Sequence, residues 1–358
     1  MSRAQKEVWL KRAFFMLGAC AGLIILATKS PTAMEWLTKD SGQYGDLYRF
    51  AQVRAFKPAA PLPRWGGNDK PPPLPPAHSP LPVDTHFFFG DSFGYLDVGV
   101  KPFGLQVRDQ VKSPVICVFN RDYSDMNVFR FLKRNPPPPG ASPVVAYEIV
   151  ERSIAKTFAQ PIATNVPPIL SSSLSLRQQA KRLVSNTEQN HQILMIHSFL
   201  TTPLTEFWNS TRFNLTGAMA KETPLYSLKP PMLFFDEEVE SYFSRHTDSN
   251  ITQMADVIAR FARELRALHH CELVFIPVPN KITLCAKFST DQPYDEFLPR
   301  LCRELHRRSV RTVDLLPCFR REQDCLYYAT DTHWNPRGIQ VALEETLKVW
   351  PARREKAE

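Results

Sequence analysis

Ser92, Asp331 and His333 are the residues of this chain whose types and spacing could do chemistry. Ser92 follows a short apolar run and the pair Gly90-Asp91, whereas Asp331 and His333 are two residues apart near the other end. A serine hydroxyl becomes a nucleophile when a histidine removes its proton and an aspartate orients that histidine. The sequence therefore predicts a serine acyl-transfer enzyme with Ser92 as nucleophile, His333 as general base and Asp331 as the orienting group.

These residues need a fold that brings distant segments together, and the hydrophobic pattern indicates a parallel sheet. Short apolar runs rich in Val, Ile and Phe are typical of strands that are covered on both faces. The predicted strands are Thr85–Phe89, Pro114–Asn120, Val144–Val150, Leu273–Val278 and Arg311–Leu315. A tight turn at the carboxyl end of the first strand would expose the Ser92 hydroxyl.

Two amphipathic stretches predict helices that cover this sheet. One is Ile251–His269, with Ser249 or Asn250 as its N-cap; the other begins at Pro336, with Asn335 as its N-cap, and ends near Val349. Alternating strands and helices predict an α/β fold, a three-layer sandwich with a mostly parallel sheet. Residues 155–245 fit this pattern less well and are predicted to be an insertion that shapes the cleft.

Five further residues are candidates for supporting roles. Asp91 and Asn120 lie at the ends of predicted strands, where they could support the site or an oxyanion. Arg121, Arg152 and Lys281 could bind an anionic sugar or a carboxylate. Ordinary ion pairs at the surface are the alternative for Arg152 and Lys281, and a simple turn is the alternative for Asn120 with Arg121.

Together the motifs resemble those of the SGNH (GDSL-type) hydrolase superfamily, and more narrowly the SGNH-like domains of alginate O-acetyltransferases. The strongest element is Asp-Thr-His-Trp-Asn-Pro-x-Gly at residues 331–338, supported by the runs at 144–152 and 275–281. The resemblance covers residues 85–152 and about 250–350. It implies a flavodoxin-like sandwich. One departure is that Ser92 precedes the Asp-His block, whereas in the alginate enzymes that block comes first.

The resemblance also implies a reaction and its partners. An acetyl group would pass through an acetyl-serine to a hydroxyl of an extracytoplasmic polysaccharide, and a membrane-embedded acyltransferase would supply it. A carbohydrate acetylesterase, with water as acceptor, is one alternative, because both activities use the same triad. A non-catalytic glycan-binding scaffold is the other. No cofactor is implied, and no Cys-x-x-Cys or His-rich spacing indicates a metal.

The N-terminal residues predict a membrane anchor. Residues 13–28 form an uncharged apolar run that follows several basic residues, which places the N-terminus in the cytoplasm and the remainder outside. A cleaved signal peptide and a lipidated Cys20 are the alternatives. The predicted organisation is flank and anchor at 1–30, membrane-proximal segment and proline-rich linker at 31–82, SGNH-like domain at 83–350 and charged tail at 351–358. The prolines predict a spacer, or else a ligand for a partner.

The charge distribution bears on nucleic-acid binding, and the cysteine content bears on disulfide formation. The formal charge of +8 is partly confined to the N-terminal flank, and no basic stripe with interleaved aromatics indicates nucleic-acid binding. The cysteines beyond the apolar run are even in number, which permits disulfides. Cys318–Cys325 and Cys285–Cys302 are the candidate pairs, and Cys117 is predicted to be a buried thiol.

Overall fold

The computed structural model describes residues 43–63, 74–76, 78–95, 99–119, 127–162 and 202–351. The predicted membrane anchor, Asn120, Arg121 and most of the charged tail therefore lie outside the described residues. Within the described part of the chain, no helix combines the length and the apolar character that crossing a membrane requires.

A five-stranded parallel sheet is the centre of the fold. Its strands lie in the order β2-β1-β3-β6-β7, and β4 and β5 form a separate antiparallel hairpin. The strands are β1 (His86–Gly90), β2 (Val115–Phe119), β3 (Val144–Val150), β4 (Leu225–Leu228), β5 (Pro231–Phe234), β6 (Glu272–Val278) and β7 (Arg311–Thr312). All five predicted strands are present. The last is shorter than predicted, because a helix begins at Leu315.

Helices cover both faces of the sheet. The α-helices of the described residues are α1 (Asp46–Ala51), α2 (Ser92–Tyr95), α3 (Phe103–Gln110), α4 (Val128–Arg134), α5 (Glu151–Thr157), α6 (Thr202–Thr216), α7 (Asp236–Phe243), α8 (Asp248–His269), α9 (Lys281–Cys285), α10 (Phe297–Arg307), α11 (Leu315–Arg321) and α12 (Pro336–Val349); α1 and α6 lie outside the sandwich. Helix α12 and its N-cap Asn335 are as predicted. Helix α8 begins three residues earlier than predicted, because Thr247 accepts the hydrogen bond of the Asn250 amide and forms the cap.

Alternation along each strand builds two cores, one on each face of the sheet. Phe87 and Phe89 of β1 enter the core that contains α4, α8 and α10, whereas Phe88 enters the core that contains α3 and α12. In β3, Tyr147 faces the first core and Ala146 the second. The result is a three-layer α/β sandwich with a parallel sheet, which confirms the predicted fold class for the described residues.

A third, smaller core lies outside the sandwich. Leu47, Val53 and Phe56, which follow the predicted anchor in sequence, pack with Phe213 of α6 and Leu233 of β5. The first described residues are thus part of the folded domain rather than a free linker. Within the proline-rich segment, the Leu62 amide donates to the Gln43 carbonyl and the His78 amide donates to the Arg134 carbonyl at the end of α4. Two points of the proline-rich segment are therefore hydrogen-bonded to the folded domain, and its role as a spacer or as a ligand for a partner stays a prediction.

The structure also gives the cysteine pairing. Cys285, in α9, is bonded to Cys325, in the loop that precedes the Asp331 segment. Neither candidate pair from the sequence is formed, and both Cys302 and Cys318 are buried free thiols. Cys117 is a buried free thiol, as predicted. The pairing depends on how the loop folds back onto α9, which spacing along the chain does not reveal.

Candidate active site

Ser92 lies at the point where the strand order of the sheet reverses. In the sheet, β2 lies on one side of β1 and β3 lies on the other, so the strand order reverses at the carboxyl end of β1. Ligands of open parallel sheets bind at such a point. Ser92 is the first residue of α2, immediately after the turn that ends β1, and its side chain is partly exposed. The fold therefore presents the hydroxyl at the place where a substrate can reach it.

Asp91 braces this turn. Its Oδ1 accepts a hydrogen bond from the Phe93 amide and its Oδ2 accepts one from the Val150 amide at the end of β3. Its own amide donates to Oε2 of the buried Glu148. A carboxylate held in this way supports the serine, and it cannot donate to an oxyanion. Burial, followed by the charge of Asp91, raises the pKa of Glu148 well above its usual range.

The amide of Ser92 is the remaining donor of the turn. The Phe93 amide is bound to the Asp91 side chain, and the Gly94 amide donates to the Asp91 carbonyl. Among the residues that the structure describes, no acceptor bonds to the Ser92 amide. An amide at the first position of a helix has no carbonyl partner within that helix. It is thus the group in this turn that is available to stabilise an oxyanion on a carbonyl attacked by Ser92.

His333 joins Ser92 to Asp331. The distance from Nε2 of His333 to Oγ of Ser92 is 2.9 Å, and the distance from Nδ1 to Oδ1 of Asp331 is 2.6 Å. The His333 amide donates to the same Oδ1 at 2.9 Å, which fixes the carboxylate relative to the ring. Because the partner of Nδ1 is a carboxylate oxygen, Nδ1 carries the proton and Nε2 is free to accept one from Ser92. The structure thus brings the three residues together in the order that acyl transfer needs.

Electrostatics favour the protonated imidazole that would form during the reaction. Burial alone lowers the pKa of His333, but the charge of Asp331, the hydrogen bond to it and the charge of Asp46 outweigh that effect and raise the pKa above 6.5. Burial acts to raise the pKa of Asp331, yet the charge and hydrogen bonds of His333 lower it to about 2. Asp331 is therefore ionised at neutral pH, and the base is stronger than an ordinary histidine.

The residues that follow His333 anchor the loop that carries Asp331 and His333. Trp334 is almost fully buried, with its ring 5.4 Å from Phe93 and 5.1 Å from Phe103, as expected for the residue at the base of the loop. Trp334 also forms an isolated bridge with Tyr327. Asn335 then accepts the hydrogen bond of the Gly338 amide and begins α12. Two residues after the base, the chain is therefore fixed to both a core and a helix.

Lys281 is not positioned to bind a substrate. It is fully buried, and its Nζ donates to the carbonyl oxygens of Leu233 and Ala329, both at 2.7 Å, and of Asp331 at 3.2 Å. Burial lowers the pKa of Lys281 to about 8, although Glu238 and two aspartates oppose that shift. The prediction that it binds a sugar was wrong, because its ammonium group ties the hairpin to the catalytic loop instead.

Arg152 lies beside the site. Its guanidinium is 5.7 Å from the Phe93 ring centre and 5.6 Å from that of Phe235, and its NH1 donates to Oε1 of Glu238 at 3.0 Å. About a tenth of the side chain, 11%, is exposed. Burial raises the pKa of Glu238 to about 7, with Arg152 opposing the shift. The structure thus places a positive charge next to the aromatic ring that follows Ser92, so the predicted contact with an anionic substrate remains a prediction.

Four residues of this site were not predicted from the sequence: Asp46, Thr332, Glu238 and Asn280. Asn280 follows β6, is fully buried, and accepts a hydrogen bond from the Arg152 amide through Oδ1, while its Nδ2 has no partner in the described structure. Asn280 lies in the run at 275–281 that contributes to the family resemblance, so a signal existed. Asp46 carried no signal, because it is 285 residues from the loop that it contacts.

A metal ion has little room for coordination here. Side-chain atoms of Asp46, Asp331 and His333 approach within 4.8 Å of one another. Every carboxylate oxygen of the two aspartates already accepts a hydrogen bond from the protein. A cation bound to Nδ1 would also break the bond between His333 and Asp331 on which the base depends. The arrangement is therefore better suited to proton transfer.

The described residues thus place a Ser-His-Asp triad on a three-layer α/β sandwich, an arrangement that acyl-transfer enzymes use. Residues 229–357 match the family described as "SGNH hydrolase-like domain, acetyltransferase AlgX". This match confirms the resemblance drawn from the sequence motifs and includes Asp331 and His333. Ser92 lies outside the matched residues, so its place in the triad rests on the geometry. No curated protein and no solved structure gives a significant match to the chain.

Proposed function

We propose that the protein is a membrane-anchored O-acetyltransferase that moves acetyl groups onto an extracytoplasmic polysaccharide through an acetyl-serine. The observation that carries this proposal is the hydrogen-bonded chain from Oγ of Ser92 to Nε2 of His333 and from Nδ1 to Asp331. The match of residues 229–357 to an acetyltransferase SGNH-like domain supports the acyl chemistry. Residues 13–28 would provide the anchor.

In the first half-reaction, Oγ of Ser92 attacks the acetyl carbonyl of a donor ester while its proton passes to Nε2 of His333. The tetrahedral oxyanion is stabilised by the Ser92 amide, and the imidazolium by the ionised Asp331. Collapse of the intermediate breaks the bond to the donor oxygen, which leaves as an alcohol after it takes the proton from Nε2. The products are the acetyl-serine and a neutral His333.

In the second half-reaction, a sugar hydroxyl gives its proton to Nε2 and attacks the acetyl-serine carbonyl. Ser92 then leaves with that proton, so the enzyme returns to its starting state and the sugar carries the acetyl ester. Arg152 would bind a carboxylate of an acidic acceptor near the acyl group, since its charge lies beside Phe93. An acetylesterase, with water as acceptor, uses the same groups and is the second candidate.

The compartment and the donor are part of the proposal. The disulfide between Cys285 and Cys325 supports an oxidising compartment such as the periplasm, since such bonds seldom persist in the cytosol. Acetyl thioesters of the cytosol are not available there. A membrane-embedded acyltransferase would therefore deliver acetyl groups across the bilayer, and the anchor would keep the domain beside that partner.

The test uses the full chain in detergent with p-nitrophenyl acetate as donor and intact-mass detection. We expect a mass gain of one acetyl group on the wild type, none on Ser92→Ala, and an unchanged gain on Ser249→Ala, a control at an exposed serine. The absence of any adduct and turnover on a folded wild type would contradict the proposed chemistry and favour a non-catalytic glycan-binding role.

Acceptors distinguish the two enzymatic candidates. Oligouronate and neutral cello-oligosaccharides are each added to the acetylated enzyme, and acetyl transfer to sugar is compared with hydrolysis. Transfer to the oligouronate that is weakened in Arg152→Gln supports a transferase for an acidic polymer. Hydrolysis at the same rate with and without both sugars would replace the transferase with the esterase.

A further inference from the structure

We propose that Asp46 is a positioning residue of the catalytic centre, a second carboxylate that holds the Asp331–His333 loop in its working geometry. The inference rests on the proposed acyl transfer at Ser92. Asp46 is the first residue of α1, and it belongs to the segment that precedes the sandwich and packs in the third core. It is separated from Asp331 by 285 residues of sequence.

The amide and the carboxylate of Asp46 bond to the catalytic loop. Its amide donates to Oδ2 of Asp331 at 2.9 Å, which is the oxygen that His333 does not use. Its Oδ1 accepts from the Thr332 amide at 2.8 Å, and its Oδ2 accepts from the Thr332 hydroxyl at 2.6 Å. Asp46 is therefore hydrogen-bonded to both Asp331 and Thr332.

Thr332 carries the effect to the imidazole. Its Oγ1 lies 3.2 Å from Nδ1 of His333, and its hydroxyl proton is directed to Asp46. Oγ1 thus faces Nδ1 with a lone pair, which keeps the proton on Nδ1 and leaves Nε2 as the base for Ser92. Oδ2 of Asp46 is itself 3.9 Å from Nδ1, close enough for its charge to act directly.

Charged groups around the imidazole ring of His333 also act on its pKa. Burial and the charge of Arg152 lower the pKa of His333, but Asp331 and Asp46 outweigh them and raise it. Glu238 also faces this group of charges. Burial, followed by the charge of Asp331, raises the pKa of Asp46 itself. Lys281 bonds to the Asp331 carbonyl, and its charge interacts with Glu238, Asp331 and Asp46. Removing the carboxylate of Asp46 would therefore weaken His333 as a base.

Backbone contacts hold α1 in place independently of the Asp46 side chain. The amides of Leu47 and Tyr48 both donate to the Thr330 carbonyl at 3.1 Å, and the Thr330 hydroxyl donates to the Tyr44 carbonyl at 2.6 Å. Gly45 has φ +99°, and a Cβ there would lie 2.2 Å from the Thr330 oxygen. Because this docking does not need the carboxylate, an isosteric change at Asp46 can test its electrostatic role with little loss of structure.

The experiment compares Asp46→Asn with Asp248→Asn in the full chain. Asp248 is also the first residue of a helix, but its side chain is 97% exposed. We expect Asp46→Asn to slow acetylation of Ser92 by p-nitrophenyl acetate about 10- to 100-fold, the range seen when a group that orients a ligating histidine is removed. We expect the thermal midpoint and the KM to stay close to wild type, and Asp248→Asn to match wild type throughout.

A second readout does not depend on turnover. The pKa of His333 is measured by NMR of ¹³C-labelled histidine, with the signal assigned by its loss in His333→Gln. We expect a lower pKa in Asp46→Asn and in Thr332→Val, with Thr332→Ser restoring it, and we expect the double variant to shift no further than the larger single one. An unchanged His333 pKa in folded Asp46→Asn would overturn the inference, whereas an inactive wild type with the expected shift would overturn the proposed function alone.

Discussion

Gly338 allows a sharp test of how tightly the catalytic loop is built. The residue is in the first turn of α12, and a Cβ added there would lie 2.6 Å from the Leu326 carbonyl oxygen and 2.9 Å from Cβ of Trp334. Ordinary contact begins at 3.4 Å, so Gly338→Ala must displace the loop or the helix by about 0.8 Å. The same carbonyl accepts the Asn335 amide at 2.7 Å, so the displacement falls two residues from the catalytic base.

The expected magnitudes follow from this displacement. A shift of about 1 Å in a reacting group costs about 100-fold in rate, so we expect acetylation of Ser92 to slow by roughly 10- to 100-fold. Overpacking costs about 1–3 kcal/mol of unfolding free energy, and the higher helix propensity of alanine offsets about 1 kcal/mol of it. The net loss is therefore roughly 0–2 kcal/mol, and the protein stays folded.

The assay pairs stopped-flow acetylation by p-nitrophenyl acetate with urea unfolding of the full chain. Gln340→Ala is the matched control, because Gln340 is exposed on the same helix. It should leave the acetylation rate unchanged. A Gly338→Ala variant that is as active as wild type and more stable would refute this reasoning. In that case the helix propensity of alanine, rather than the close approach to Leu326, would determine the effect of the substitution.

Three further predictions concern charge and cross-linking. The acid limb of kcat/KM should have an apparent pKa above 6.5, because His333 must be neutral to act as base and its pKa is raised; a limb below 6.5 would contradict this. Replacing Cys285 and Cys325 by serine should lower the unfolding free energy by about 3–4 kcal/mol for a loop of 40 residues, and a reductant should shift wild type but not the variant in urea unfolding. Lys281→Met should cost about 2–4 kcal/mol of stability by leaving buried carbonyls unpaired, whereas a raised KM at unchanged stability would restore its role in substrate binding.

Much of the fold and about half of the site could be predicted from local sequence patterns. Alternating Phe residues in β1 and the Asn335-Pro336 pair before α12 are determined by neighbours in sequence, so the strand and the cap could be predicted. Ser92 and His333 were predicted because the types of residue and their turns are distinctive.

Contacts between distant segments could not be predicted from one sequence. Asp46 is an acidic residue in an ordinary run, and only the packed third core brings it to the catalytic loop. Lys281 has the composition of a surface residue, yet three carbonyl acceptors let its ammonium group be buried. Cys285 and Cys325 pair because the loop folds back on α9, a choice that spacing alone leaves open.

The docking of residues 43–56 limits how far the enzyme can reach. If residues 13–28 lie in a bilayer, as proposed, only residues 29–42 connect the membrane to the folded domain, and fully extended they span about 50 Å. The proline-rich segment does not lengthen this connection, because in sequence it follows residues that are already packed in the domain. Acetylation would then be confined to a thin shell next to the bilayer, so the acceptor would be modified as it emerges at the membrane rather than after its release.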